Sequence, residues 1–290
     1  MSTLSDKDGD FAANGVKYGM SWQSSDHSPN AESKLIRRDP ALHVSLGAVY
    51  LSPAHGFNEL APTYDQRLAG NPLFGVESTA TLAFFPMLEG KSVADVGCGT
   101  GRLSLQIARM GAGAVIGVDL SEEMLAVAVR KTVRAGDLAE VVTWRRGDLL
   151  ERLPFPDCSV DVAVCALTLS FLPDVGGAFR ELSRIISPGG SLVVSDYHPH
   201  GLVQARADAT ALNGNKDKAP YLRFTSAGGD DCRITQYVHT ISDLFRAGQD
   251  AGLTLRQISE PVADSHLANT YAAHRERSGA PLAVIARFDK

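Results

Sequence analysis

At 290 residues with 44% hydrophobic side chains, the chain has enough apolar material for a full core and more length than one ordinary domain needs. Its formal net charge of -5 argues against a protein that binds by neutralising phosphates, because nucleic-acid binders carry a basic face. The polar start, MSTLSDKDGDFAANG, lacks the basic and apolar regions of a secretory leader, and no apolar run approaches the ~18 residues of a membrane span, so a cytoplasmic protein without nucleic-acid or membrane partners is expected.

Up to about Asn71 the chain mixes polar residues, prolines and glycines with short apolar pieces such as LHVSLGAVYLSP and FNELAPTYDQRL. Residues 1–56 form an extension with no assignment. From Gly75 to Leu88 apolar residues recur at helical spacing. A regular alternation follows. Strands are predicted at Val93–Val96, Ala114–Val118, Val141–Trp144, Val160–Ala166 and Ser191–Ser195, with helices at Leu103–Arg109, Glu122–Arg134 and Val175–Ile186. Strands alternating with helices imply right-handed crossovers and a parallel sheet covered on both faces. The turn SPGG after Ile186 stops the last of these helices where the next strand must begin.

About residues 198–235 the alternation breaks. The segment is rich in Gly, Asp, Asn and Lys around the apolar anchors Tyr221, Leu222 and Phe224, and it reads as an inserted cap. Thr240 and Asp243 then form a capping pair before a helix that Gly252 ends. The last strands are expected at Leu253–Ile258 and Leu282–Phe288. Cys98, Cys158, Cys165 and Cys232 show no CxxC spacing and are expected to be free, buried thiols rather than disulfides or metal ligands.

The stretch SVADVGCGTGRLSLQIARMGAGAVIGVDLS, Ser92–Ser121, carries the chemistry. A dinucleotide site prefers G-x-G-x-x-G, whose third glycine lets helix and strand pack closely. Here Arg102 stands at that position, and the glycines fall at Gly97, Gly99 and Gly101, after Asp95. Asp119 ends the second strand, where a carboxylate can accept hydrogen bonds from both hydroxyls of a ribose. An adenosine-containing ligand is therefore expected, and the glycine spacing disfavours a pyrophosphate.

With RRGDLL, LPFPDCSVDVAV and ISPGGSLVVSD added, the sequence from about Phe57 to Phe288 resembles the class I S-adenosylmethionine-dependent methyltransferases, in particular the small-molecule group that includes quinone-biosynthesis and natural-product enzymes. DVGCGTG matches the first motif of that family and GVDLS the second, while FNELAPTYDQ is similar to the segment before its first strand. The resemblance implies a doubly wound, mostly parallel seven-stranded sheet over residues 57–290, with the cap after the fifth strand. It implies S-adenosylmethionine as cofactor, with Gly97, Gly99 and Gly101 lying against its methionine end and Asp95 organising its ammonium through the loop or a water. Asp119 would hold the ribose. Asp148 would accept from the adenine amino group with Leu149 on the ring, Met124 would pack on adenine, and Cys165 would offer a backbone carbonyl near the methionine part. Tyr64 would close over the cofactor, and Cys98 and Leu120 complete the set.

Methyl transfer is an in-line displacement in which alignment and exclusion of water dominate. A base is needed only for an acceptor whose proton is held too tightly, and histidine is the usual choice near neutral pH. SDYHPHGL follows the fifth strand at the carboxyl edge, so His198 and His200 are the candidate bases, with Tyr197 beside them and His239 competing. No metal is expected. The acceptor is expected to be a small, partly apolar or aromatic molecule, methylated on oxygen, nitrogen or carbon. A nicotinamide-dependent oxidoreductase is opposed by Arg102, and a non-catalytic partner subunit of the same fold by the intact glycine turn.

Overall fold

Apolar runs with no polar alternation fold as strands buried on both faces, and that is how the central runs are used here. The computed structural model describes residues 44–45, 48–69, 71–203, 220–262 and 279–290. The chain opens with β1 (Val44–Ser45), β2 (Ala48–Leu51), α1 (Pro53–Leu60), α2 (Tyr64–Ala69) and α3 (Pro72–Leu82). Next come β3 (Ser92–Val96), α4 (Arg102–Arg109), β4 (Ala114–Asp119), α5 (Glu122–Ala135), β5 (Val142–Arg146), β6 (Val160–Ala166), α6 (Val175–Ile185) and β7 (Ile186–Tyr197). The described elements end with β8 (Tyr221–Thr225), β9 (Asp231–Thr235), α7 (Ile241–Asp250), β10 (Thr254–Ser259) and β11 (Ala283–Asp289).

The main sheet has seven strands in the order β10-β11-β7-β6-β3-β4-β5. β3 to β7 run parallel to one another, and β11 lies antiparallel between β7 and β10. This is the expected doubly wound, mostly parallel sheet. On one face Phe179 and Leu182 of α6 and Leu244 of α7 pack against Leu192 and Phe288, with the Phe179 and Phe288 rings edge-on at 5.4 Å. On the other, Leu103 and Ile107 of α4 cover Val115, Val162 and Val193. Chain order reverses on either side of β3, which opens a crevice at the carboxyl ends of β3 and β6.

Local signals account for most boundaries. Ser121 caps α5 by accepting from the Met124 amide at 3.1 Å, and Thr240 with Asp243 closes the expected capping box on α7. The helix predicted to reach Leu88 stops at Leu82, because Pro86 lacks an amide hydrogen and disfavours helical backbone in the residue before it. SPGG is not a simple break either. It lies within β7, where the ladder to β6 shifts register between Val160 and Val162. Cys98, Cys165 and Cys232 are buried free thiols, whereas Cys158 is exposed, against expectation, on the turn before β6.

A second sheet, β1-β2-β9-β8, combines residues from both ends of the chain. Its inner face, with Phe224, Cys232 and Ile234, packs on Leu60, Met124 and Phe171 beside the crevice. The strands β8 and β9 fall within the segment read as a cap; residues 204–219 of that segment lie outside the described residues. β2 and the start of α1 precede the boundary expected at residue 57 and belong to one compact unit with the described elements after it. Among the described residues no helix is long and apolar enough to cross a membrane.

Candidate functional site

The turn between β3 and α4 needs glycine at three positions for three different reasons. Gly97, Gly99 and Gly101 all have positive φ, of 76°, 54° and 76°, a region that costs a residue with a Cβ. A Cβ on Gly97 would run into the Thr168 side chain, and one on Gly101 into the Trp144 ring. Both are internal contacts. A Cβ on Gly99 would meet only Tyr64, at an ordinary 3.8 Å. Of the three, Gly99 alone has free space in front of it.

That space is the crevice. It is a cleft partly open to solvent. Of the residues expected to hold the cofactor, Tyr64, Gly97, Gly99, Asp119, Leu120, Met124, Asp148 and Leu149 line it. Asp95, Cys98, Gly101 and Cys165 do not border it. Asp95 is 1% exposed and turns into the core to accept from the Ser104 hydroxyl of α4 at 2.5 Å. Burial holds its carboxyl up at about 6. Cys165 is sealed within the sheet, and burial raises its thiol well above the usual range.

Asp119 sits at the tip of β4 and braces the turn. One carboxylate oxygen accepts from the Gly99 amide at 2.8 Å, the other from the Ser121 amide at 2.8 Å. Burial raises its carboxyl, while these amide bonds favour the charged form. Each oxygen retains a lone pair for a ligand hydroxyl. Asp148 is both cap and lining, since it accepts from the Leu150 amide at 2.9 Å while facing the cleft.

Arg102, where a dinucleotide site would want glycine, has a partner of its own. Its guanidinium donates to Glu77 at 3.1 Å; Glu77 is fully buried and also accepts from the Thr81 and Ser195 hydroxyls. A helix start held off by such a pair cannot make the close contact that a third glycine serves.

Several lining residues escaped the motif reading. Phe57, Phe171, Thr168 and Leu172 also line the cleft, with Phe57 edge-on to Phe171 at 5.0 Å and to Tyr64 at 6.4 Å. Phe57 lay within FNELAPTYDQ and Phe171 within ALTLSFLP, so their apolar tone was the available signal. Leu167 adopts φ 53°, a strained value for a bulky residue. Its amide donates to the Ser195 carbonyl at 2.8 Å.

The candidate bases His198, His200 and His239 make contacts of their own away from the cleft lining. The His198 ring is engaged at both nitrogens: Nδ1 accepts from the His200 amide at 3.2 Å, so Nε2 carries the hydrogen and donates to Glu260 at 2.7 Å. His200 is exposed. His239 donates from Nε2 to the Leu172 carbonyl at 2.8 Å. None of the three borders the cleft. Among the described residues no cluster of His, Cys, Asp or Glu could hold a metal ion.

Residues 94–194 match the family profile described as a methyltransferase domain. The chain is 35% identical over 149 residues to the 2-phytyl-1,4-naphtoquinone methyltransferase of Synechococcus elongatus, covering 49% of this chain and 62% of that protein. It is 38% identical over 117 residues to the demethylmenaquinone methyltransferase of Tropheryma whipplei, 39% of this chain and 45% of the relative. The chain thus spans less than two thirds of the length of these curated relatives. The fold is that of a solved S-adenosylmethionine-dependent methyltransferase from Mesorhizobium loti, at TM-score 0.58 and 24% identity over 77% of this chain and 100% of the other.

Two buried acids, Asp95 and Asp196, make the stability of the chain vary with pH. Burial holds Asp95 at about 6 and Asp196, which accepts from the Ser170 and Tyr197 amides, at about 7. Their stabilising contribution is complete below the unfolded value of 3.8 and is lost as pH rises through the folded values. Stability, and with it the melting temperature, is therefore expected to fall as pH rises from about 4 to about 7, by an amount of order a few kcal/mol. Thermal melts across that range check this, and a flat or rising curve would contradict the assignment.

Proposed function

We propose that the protein transfers a methyl group from S-adenosylmethionine to a small apolar acceptor bearing an aromatic or quinol-type ring. The observation that carries the reading is the open space before Gly99, flanked by the ribose-type acceptor Asp119 and the apolar surfaces of Leu120, Met124 and Leu149. Asp119 holds the ribose hydroxyls, Asp148 the adenine amino group, and Met124 and Leu149 sandwich the base. When bound, the cofactor supplies an electrophilic methyl on a sulfonium. The chain's own work is alignment and exclusion of water: Phe57, Tyr64 and Phe171 line the cleft with aromatic rings that suit a flat ring. The quinone substrates of the relatives support that choice of acceptor. The second sheet acts as the cap, its inner face being packed on Met124 and Phe171.

No general base is assigned to His198 or His200, and the proton of the acceptor leaves to solvent or is absent at reaction pH. The test is incubation with S-adenosylmethionine and a panel of hydroxylated naphthalenes and reduced quinones, followed by mass spectrometry for the gain of one methyl group. On the best acceptor, His198→Gln and His200→Ala are expected to keep turnover within about threefold and the pH profile unchanged. A loss of ~10²-fold or more would restore a histidine as base.

A further inference from the structure

The helices α1 and α2 cross the cleft, and Pro53, Phe57 and Tyr64 are their contribution to its lining. Two polar ties hold them down. At the α1 end, Asn58 accepts from the Ser121 hydroxyl at 2.6 Å. At the α2 end a closed ring of three side chains joins three separate segments. Thr100, between Gly99 and Gly101 in the glycine turn, donates to Asp65 at 2.7 Å. Lys131 of α5 donates to both oxygens of Asp65, at 3.2 and 3.1 Å, and to the Thr100 hydroxyl at 3.2 Å. Asp65 follows Tyr64 directly, so this ring fixes the tyrosine over the open side of Gly99.

We propose that Asp65 and Lys131 form an electrostatic latch, anchored on the cofactor turn by Thr100, that positions Tyr64 over the bound cofactor and limits the rate at which the spent cofactor leaves. The proposal rests on the methyltransferase reading above. Thr100 is 1% exposed, whereas Lys131 and Asp65 are 26% and 45% exposed. The anchor is dry and the ion pair is wet. A partly exposed pair is weak enough to open on each cycle and is reached by dissolved salt, as a buried pair is not. A mobile lid over a cleft that must exchange its contents is a common reason for release to limit turnover.

The experiment measures dissociation of S-adenosylhomocysteine from the full chain by surface plasmon resonance at low and high salt, about 0.05 and 0.5 M NaCl. Wild type is expected to release it about fivefold faster at high salt. Lys131→Met should show the fast rate at both, a change equivalent to about 1 kcal/mol at 1.4 kcal/mol per tenfold. Lys131→Arg should restore slow, salt-sensitive release. A purely structural lysine would alter melting without abolishing the salt dependence. Unchanged dissociation in Lys131→Met with normal affinity overturns the latch alone; failure of the wild type to bind S-adenosylhomocysteine overturns the cofactor reading and the latch with it.

Discussion

Asp119→Ala is expected to weaken binding of S-adenosylhomocysteine by at least ~10²-fold while the chain stays folded. The carboxylate has two roles, and both are lost. It would accept from the ribose hydroxyls, and charge-assisted bonds of this kind are worth about 1.5–3 kcal/mol each when their partners stay buried. It also holds the Gly99 and Ser121 amides at 2.8 Å, so its removal loosens the turn against which the ligand lies. Asp119→Asn should be milder, because one acceptor oxygen survives. Calorimetry on variants with native melting curves checks this, and unchanged affinity in the alanine variant would remove Asp119 from the site.

Gly99→Ala and Gly101→Ala are expected to fail in opposite ways. Both positions have positive φ, so each alanine carries a similar backbone strain of about 1–2 kcal/mol. Beyond that, the Gly99 methyl group has only Tyr64 near it, at 3.8 Å. It should fold with a modest drop in melting temperature and lose cofactor affinity by ~10²-fold or more, because the methyl group stands where the ligand must lie. The Gly101 methyl group collides with Trp144, whose indole is itself tied to Thr132 at 3.1 Å. Overpacking of this kind costs typically 1–3 kcal/mol more, so Gly101→Ala should melt well below Gly99→Ala. Paired melting curves and titrations read out both effects. Equal melting with equal affinity would contradict the separate roles given to the two glycines.

The contrast between those glycines shows what the sequence could and could not convey. The turn, the parallel strands and the acid at the tip of β4 are local features, written in spacing and hydrophobic pattern, and they were legible. The reasons for Gly97 and Gly101 were not, because Thr168, on the turn after β6, and Trp144 of β5 reach them from far along the sequence. Asp95 read as a site residue from its place in the motif, yet its side chain turns toward Ser104 on α4. The histidines show the same limit: the carboxyl edge of β7 locates their backbone, but Glu260, 62 positions away, takes the His198 ring. The second sheet joins strands of 2–5 residues from opposite ends of the chain, too short for period-2 patterning to reveal their pairing.

The central claim, that the crevice at β3 and β4 is a site for S-adenosylmethionine rather than for a nicotinamide dinucleotide, is tested most directly by calorimetric titration of the wild-type chain with S-adenosylhomocysteine and, separately, with NADH. Saturable one-to-one binding of S-adenosylhomocysteine with no heat from NADH is the predicted result. Binding of NADH with none of S-adenosylhomocysteine would contradict it.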